Sequence, residues 1–460
     1  MKKSIPEIVA GQRACFQGGF TRSPAWRKAA LAKLKSALGR NEKKLLAALR
    51  KDLGKAAVEA YTSEVGFVLA EIDYALRHLG AWSRSRKPMP PLLWFPSETR
   101  IVPEPKGVVL IIGPWNYPVA LCLSPLVGAL AAGCTAVVKP SEVASESSRA
   151  IAEVIGETFG DDSIAVVEGG AAAAGLLLEE EFDHIFYTGG PRVGKIVMAK
   201  AAEHLTPVTL ELGGKNPCIV DREVDCSVAA RRIAWGKFFN AGQTCVAPDY
   251  LLVPAELKDP MIENLKKAIV EFYGPDPRHS PDYARIINER HLSRLLSLLE
   301  EGDIVVGGGA DRENRYLAPT VIDNVNWDNR IMGEEIFGPI LPVIGYGDLA
   351  EATGAVNARP APLALYFFSR NRERQRMVIR ETRSGGACIN DTIIQILPRR
   401  LPFGGIGPSG MGSYHGRATF DTFTHYRSVV TRSFRFDVPL RYPPYRTSLD
   451  QVKKFFRFLS

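Results

Sequence analysis

The sequence predicts an α/β protein built on two doubly wound parallel sheets, and three observations predict it. Five short β-branched or aromatic-rich runs follow one another: "GVVLII" (107–112), "TAVVKP" (135–140), "SIAVVEG" (163–169), "DHIFYTG" (183–189) and "PVTLELG" (207–213). Stretches of helical composition separate them, and strands alternating with helices imply βαβ units around a buried parallel sheet. The alternation resumes less regularly after 214, with "YLLVP" (250–254), "IVVGG" (304–308), "LALYFFS" (363–369) and "GGACIN" (385–390). Finally, 460 residues exceed one ordinary core, so two or three domains are expected.

The elements come in this order. Residues 4–80 read as helices, because Leu31, Leu34, Leu38, Leu45, Leu46 and Leu49 recur at helical spacing. The next segment, 83–107, carries six prolines, too many for a helix or a central strand, and reads as an extended excursion from the core. The first sheet occupies 108–213, and a sheet of this kind binds its ligand at the carboxyl ends of its strands. The second α/β unit spans 214–410. The final 37 residues, 424–460, turn basic and aromatic. There Ser448 is placed to cap a helix of roughly 12 residues, with Leu449, Val452, Phe455, Phe456 and Leu459 on one side. Lys453, Lys454 and Arg457 cluster on the other.

Composition narrows the function. The net charge of +8 arises from 58 basic and 50 acidic residues spread along the chain, which argues against nucleic acid as a partner. Seven cysteines, at 15, 122, 134, 218, 226, 245 and 388, are odd in number and form no C-x-x-C pair. Neither a disulfide framework nor a metal site is expected, and the compartment expected is a reducing cytoplasm. The N-terminus lacks the apolar core of a signal peptide, and no run of about 20 apolar residues predicts a membrane span.

Several strand-end motifs carry polar groups. In "FYTGGPRVGK" (186–195), Gly189 and Gly194 bracket a strand-to-helix turn that suits an anion or simply a chain reversal. "VVKPSE" (137–142) ends a strand with Lys139 and Glu142. They are either ligands for a ribose or a lysine and a helix-start glutamate. Glu211 in "TLELGGKNP" is either a partnered structural acid or a general base with a raised pKa. Asn116 in "GPWNYP" is a turn residue or an oxyanion donor. "NAGQTC" (240–245) puts Cys245 on a small-residue loop, as a buried thiol or a nucleophile. Each is equivocal alone. Together they converge on one cleft.

In the order "PWNYP", "VVKPSE", "YTGGPRVGK", "TLELGGKNP", "NAGQTC", "EEIFGP" (334–339) and "LPFGGIGPSGMGSYHG" (401–416), the chain resembles the NAD(P)-dependent aldehyde dehydrogenases from about residue 5 onward. The short N-terminus, "PFGGIGPSGMGSYHG" and "RYPPY" resemble the class 3 branch, which acts on medium- and long-chain or aromatic aldehydes. The resemblance implies an aldehyde dehydrogenase-like fold of two doubly wound α/β domains plus a small oligomerisation flap. Residues 1–82 with 108–213 would form the dinucleotide-binding domain, 214–410 the catalytic thiol domain, and 83–107 with 424–460 the oligomerisation segments of a homodimer.

It further implies Cys245 as nucleophile, Glu211 as general base, and Asn116 with the Cys245 amide as oxyanion hole. Lys139 and Glu142 would contact the adenosine ribose, Gly189 to Gly194 would lie under the diphosphate, and Glu335 and Phe337 would meet the nicotinamide ribose and ring. Tyr117, Trp235, Phe239 and Phe403 would line the tunnel for a small-molecule aldehyde. Glu142 favours NAD over NADP, since a carboxylate beside the ribose repels a 2′-phosphate, although class 3 enzymes often accept both. Relatives that pass the acyl group to coenzyme A or phosphate lack the deacylating glutamate that Glu211 supplies here. The chain departs from its relatives at Arg399 and Arg400, before "LPFGG". They read as a solvated pair at the cleft rim or as a site for an aldehyde with a distal carboxylate. The terminal helix is too short to span a bilayer. It is expected to pack on a dimer partner, with membrane association at most peripheral.

Overall fold

The computed structural model describes residues 3–90, 96–435, 437 and 441–459. Its strands are β1 Ser97–Pro105, β2 Val108–Ile112, β3 Thr135–Lys139, β4 Ile164–Val166, β5 His184–Gly189, β6 Val208–Leu212, β7 Pro217–Val220 and β8 Tyr250–Pro254. They continue with β9 Asp303–Val306, β10 Ala310–Asp311, β11 Tyr316–Leu317, β12 Thr320–Asp323, β13 Ile340–Tyr346, β14 Ala364–Phe368, β15 Gly386–Ile389, β16 Gly410–Met411 and β17 Thr424–Arg432.

The five runs that open the sequence argument form one sheet in the order β6-β5-β2-β3-β4, all parallel. The order reverses at β2, so the switch point lies between β2 and β5. Strand alternation gives this sheet two apolar faces. Val109, Ile111 and Phe186 point into a core shared with the helices Pro24–Arg40, Gly66–Trp82 and Pro118–Ala132. Val108, Leu110, Ile185 and Tyr187 point into a second core under the helices Ile5–Gln17 and Pro191–Glu203. The N-terminal leucines behave as their spacing predicts: Leu31, Leu34, Leu38, Leu45 and Leu49 are fully buried, and Leu46 is half-buried.

The second sheet has the order β15-β14-β7-β8-β13-β12-β9. Only β9 is antiparallel to its neighbour. Of the runs expected here, "IVVGG" is that exposed edge, whereas "YLLVP" and "LALYFFS" are interior strands and "GGACIN" supplies the opposite edge. Three interior strands are additional to the expectation. "PCIV" is four residues long and begins with proline, "TVID" is as short, and "ILPVIGY" is interrupted by Pro342 and Gly345.

The chain then returns to the first sheet. Met411 and Gly410 of β16 pair antiparallel with Leu210 and Glu211 of β6. The boundary expected at 410 therefore falls inside a hairpin, 403–414, that bridges the two sheets. In it Phe403 and Tyr414 exchange backbone hydrogen bonds of 2.9 and 2.8 Å.

The later part of the proline-rich excursion, Ser97–Pro105, is a strand. β1 pairs antiparallel with β17 along nine residues, from Ser97 opposite Arg432 to Pro105 opposite Thr424. Pro103 and Pro105 are tolerated because each strand of a two-stranded ribbon has an outer edge that needs no N–H donor. At the other end of the sequence, Ser448 Oγ accepts from the amide of Gln451 at 3.4 Å and starts the helix Leu449–Leu459. Leu449 and Val452 are exposed on it, while the expectations for Phe455 and Leu459 lie outside the described side chains. Among the described residues, no helix is long and apolar enough to cross a membrane.

Candidate active site

The loop "NAGQTC" follows the helix Cys226–Phe238 and turns on three consecutive left-handed residues, Asn240 (φ 53°), Ala241 (φ 51°) and Gly242 (φ 73°). Such a run is strained for residues with a side chain, and its neighbours hold it in place. Asn240 Nδ2 donates to the carbonyls of Asn116 at 3.0 Å and Gln243 at 3.1 Å. Gln243 donates through Nε2 to the carbonyls of Asn240 and Arg285 and accepts from Ile287 N. Gly242 is obligatory for space as well as conformation: a Cβ there would stand 2.2 Å from the carbonyl oxygen of Gly338 in "EEIFGP". Asn216, in "LGGKNP", donates to the Cys245 carbonyl at 2.7 Å. These groups fix Cys245 in a half-buried position.

Cys245 borders a cavity of roughly 210 Å³. All four residues expected to line a substrate tunnel, Tyr117, Trp235, Phe239 and Phe403, line this cavity together with Cys245. Trp235 is 37% exposed, whereas Tyr117 and Phe403 are 9% exposed, so the cavity wall grades from surface to core. Sequence reasoning missed much of the remaining wall, including Phe67, Leu121, Ile393, Ile396, Tyr414 and His415. The glycine-dense hairpin was the available signal for the last two, because Gly404 admits the carbonyl of Gly412 where a Cβ would clash at 2.2 Å. Among the described residues, no lysine, arginine, aspartate or glutamate lines the cavity. His415, stacked on Phe403, is held neutral by burial, which brings it down to about 3.

A different environment adjoins the same thiol. Glu211 ends β6 fully enclosed, with no hydrogen-bond partner for either carboxylate oxygen among the described residues. Burial pushes its pKa well above the usual carboxylate range. Glu335 is half-buried, with its Oε1 enclosed and lacking a partner among the described residues, and rises to about 8, through desolvation first and the charge of Asp249 second. The two carboxylates approach one another's segments at Gly213, where a Cβ would meet Glu335 Oε2 at 2.1 Å. Burial and then the charges of Glu335 and Glu211 push the Cys245 thiol up to about 12, opposed by the backbone amides of Cys245 and Val246.

Asn116 is buried and donates through Nδ2 to the Gln243 carbonyl at 3.0 Å, which leaves its second N–H uncommitted. Its main chain is clamped by a group that sequence reasoning missed. The wholly buried Lys55 donates to the Asn116 carbonyl at 2.9 Å and pairs with Glu64 at 2.7 Å. No motif marks Lys55 or Glu64; only the fold brings them beside "GPWNYP".

The other strand-end residues are placed as follows. Lys139, buried at the end of β3, pairs with Glu142 at 2.9 Å. Burial alone would raise Glu142, but the Lys139 hydrogen bond and a backbone amide hold its carboxyl below the usual range. Gly189 ends β5, where a Cβ would meet the Tyr187 hydroxyl at 2.2 Å. Gly194 lets the helix Pro191–Glu203 sit on Leu212, 2.8 Å from where a Cβ would stand. Phe337 takes a left-handed φ of 49° and meets the edge of Trp115. Arg399 is not a solvated rim residue: it pairs with the buried carboxylate of Glu71 at 3.0 Å and stands over the Phe67 ring. Arg400 is exposed. Neither lines the cavity.

A thiol at an apolar cavity, with two carboxyl groups of raised pKa beside it, is an arrangement able to support covalent catalysis on an uncharged carbonyl compound. The comparisons with known proteins agree with that class. The model of the aldehyde dehydrogenase family matches residues 2–429. Among curated relatives, the mouse "Aldehyde dehydrogenase family 3 member A2" is 47% identical over 96% of this chain and 92% of its own length. The "4,4'-diaponeurosporen-aldehyde dehydrogenase" of Staphylococcus aureus is 47% identical over 98% of this chain and 99% of its own. The dog "Aldehyde dehydrogenase, dimeric NADP-preferring" is 46% identical, over 96% and 98% respectively. A substrate-bound structure of the Staphylococcus aureus enzyme AldH superposes with a TM-score of 0.97 at 46% identity, covering 99% of this chain and all of that one. The chain belongs to the aldehyde dehydrogenase family, in its class 3 branch, and is an oxidoreductase that uses NAD(P).

Proposed function

We propose that the enzyme oxidises an apolar aldehyde, of medium or long chain or aromatic, to its carboxylic acid, with Cys245 as the covalent nucleophile. The observation that carries this reading is the cavity at Cys245, lined mainly by aromatic and aliphatic side chains and, among the described residues, without one formal charge. A distal carboxylate on the substrate would have no cation to meet there, because Arg399 is committed to Glu71. Two relatives bear names that fit: one acts on a diaponeurosporen aldehyde, and another belongs to family 3.

The chemistry follows from the residues. An aldehyde carbon is a poor hydride donor. Addition of the Cys245 thiolate forms a C–S bond, moves the carbonyl π pair onto oxygen and makes the carbon tetrahedral and electron-rich. The alkoxide would accept hydrogen bonds from the free N–H of Asn116 and the amide of Cys245, each donor contributing a few kcal/mol. What a bound nicotinamide supplies is the acceptor for the departing hydride. The acyl group left on Cys245 is a thioester. Glu211 takes the proton of the water that hydrolyses it, once the carboxyl has lost its own proton.

The residues present fit the nucleotide. Glu335 Oε1 is a buried acceptor without a partner, suited to a nicotinamide ribose hydroxyl, with Phe337 beside the ring. Lys139 and Glu142 lie at a strand end where an adenosine ribose would be held. Gly189 to Gly194 open a helix N-terminus to the diphosphate. We assign residues 1–82 with 108–213 to the dinucleotide-binding unit and 214–410 to the thiol unit. The charged Glu142 favours NAD, while the dog relative's name makes NADP an accepted second nucleotide.

We assign segments 83–107 and 424–460 to a homodimer interface. The ribbon within them, Ser97–Pro105 with Thr424–Arg432, pairs with no third strand among the described residues, and one relative is named as dimeric. The terminal helix would add to that interface, with membrane contact at most peripheral. The unpaired cysteines suit a reducing cytoplasm. The test is a panel of aldehydes graded in length and charge, assayed by NADH and NADPH appearance. The specificity constant should rise with chain length and fall sharply for ω-carboxylate aldehydes. A preference for the charged members would overturn the reading.

A further inference from the structure

We propose that Lys55 and Glu64 are positioning residues for Asn116, holding the oxyanion-donating loop by gripping its backbone on both sides. Both side chains are fully buried and 2.7 Å apart. The ammonium donates to the Asn116 carbonyl at 2.9 Å and lies 4.0 Å from the centroid of the Tyr117 ring. Glu64 answers from the other side: its Oε2 accepts from Val119 N at 3.0 Å and Ala120 N at 2.9 Å, the first free amides of the helix Pro118–Ala132. The turn at Tyr117 and Pro118 thus sits between a cation that holds the Asn116 carbonyl and an anion that holds the amides of Val119 and Ala120.

The local backbone is shaped for this purpose. Glu64 lies on a single π-helical turn, Tyr61–Val65, between two α-helical segments. Such a turn rotates the following side chains and is frequent at functional sites. A wholly buried ion pair is a poor device for stability, since removing two charges from water costs about as much as their attraction returns, and an apolar pair of similar volume is often as stable. What it supplies is direction. An apolar pair would fill the same space without fixing the azimuth of the Asn116 peptide. The side chain of Asn116 is then aimed by three contacts, from Lys55, from Asn240 Nδ2 at 3.0 Å, and to the Gln243 carbonyl.

The proposal rests on the reading of Asn116 as the oxyanion donor, so the experiment must separate the two. The variants are Asn116→Ala, the charge-free pair Lys55→Met with Glu64→Gln, and all three together; Glu64→Gln alone is a second, isosteric variant should the pair fold poorly. Rate constants of the pre-steady-state NADH burst are measured per active site, together with KM for aldehyde and the melting temperature. Removing an oxyanion donor slows acylation by about 100-fold or more, and loosening one slows it by roughly tenfold or more.

The proposal expects Lys55→Met/Glu64→Gln to lower the burst rate at little change in KM. It also expects no further loss when Asn116→Ala is already present, because the pair acts only through Asn116. Additive losses, or an unchanged burst rate with only a lowered melting temperature, overturn it. A burst rate untouched by Asn116→Ala itself overturns the site reading instead.

Discussion

Cys245 stands between two regions that differ in every physical respect. On one side is a cavity of mainly aromatic and aliphatic walls, without a formal charge among the described residues. On the other are the buried Glu211 and the half-buried Glu335, with both oxygens of the first and Oε1 of the second lacking a partner among the described residues. The first region costs the protein nothing, since apolar side chains leave water favourably. The second is held against desolvation, which raises the pKa of both acids, that of Glu335 to about 8. Buried polar atoms without partners cost about 1–3 kcal/mol each, so their retention marks the side where protons move. In the proposed function the apolar side would select the substrate and the carboxylate side would process it.

The largest expected effect removes the atom that both sides share. Cys245→Ala should abolish dehydrogenase and esterase activity while nucleotide binding, followed by fluorescence, persists. Retained turnover would overturn the covalent mechanism. The unsubstituted thiol also reports on its surroundings. With its pKa pushed up to about 12 in the free enzyme, the thiolate fraction should rise tenfold per pH unit. Alkylation of Cys245 by iodoacetamide should therefore accelerate from pH 7 to 10 without a plateau. A plateau near pH 8 would mean that the carboxylates do not act on the sulfur.

Glu211→Gln breaks the carboxylate side alone. Acylation should survive, giving a burst of about one NADH per site, and hydrolysis should then stall by roughly 100-fold or more. In the unaltered enzyme the pKa of Glu211 is raised, so the base form, and with it steady-state turnover, should gain as pH rises above the usual carboxylate range. Equal loss of burst and steady state in Glu211→Gln would instead assign Glu211 to thiol activation. Leu121→Arg breaks the apolar side. A cation in the wall should lower the specificity constant for long apolar aldehydes by about tenfold, the equivalent of losing two buried methylenes, and improve it for a short ω-carboxylate aldehyde. No change for either would place the substrate elsewhere.

The two sides were not equally legible in the sequence. The carboxylate side sits at the ends of strands whose apolar runs are unambiguous, so Glu211 and Cys245 could be placed in one cleft from pattern and motif together. Four aromatic members of the cavity wall, Tyr117, Trp235, Phe239 and Phe403, were legible by resemblance, whereas Phe67 and Tyr414 were not. Its aliphatic members, Leu121, Ile393 and Ile396, carry no local signal, because any leucine or isoleucine is by default core. The second sheet was harder for a physical reason: "PCIV" and "ILPVIGY" contain prolines that tertiary pairing tolerates but periodicity penalises. Arg399 shows a limit of a different kind. Its ion pair with Glu71 joins residues 328 positions apart, and nothing local to "PRRLPFGG" announces it. Lys55 and Glu64 lie only nine positions apart, but their role depends on the loop at 116 that the fold brings to them.

The smallest effect expected concerns the nucleotide, at a distance from both sides of the thiol. Glu142 is half-exposed, and the hydrogen bond from the buried Lys139 helps to hold it ionised. A 2′-phosphate brought near that carboxylate meets a like charge, while the one adjacent cation is already engaged with Glu142. Glu142→Gln removes the repulsion, keeps the shape and frees the Lys139 ammonium to meet the phosphate. The exposed position and salt screening limit the gain, so the ratio of specificity constants should move toward NADP by about tenfold, through KM for the nucleotide and not through the burst rate. Raising ionic strength should shrink the difference between the two enzymes. A ratio that does not move, or that moves equally at all salt concentrations, would remove Glu142 from the ribose site and leave its pair with Lys139 as a structural tie at the end of β3.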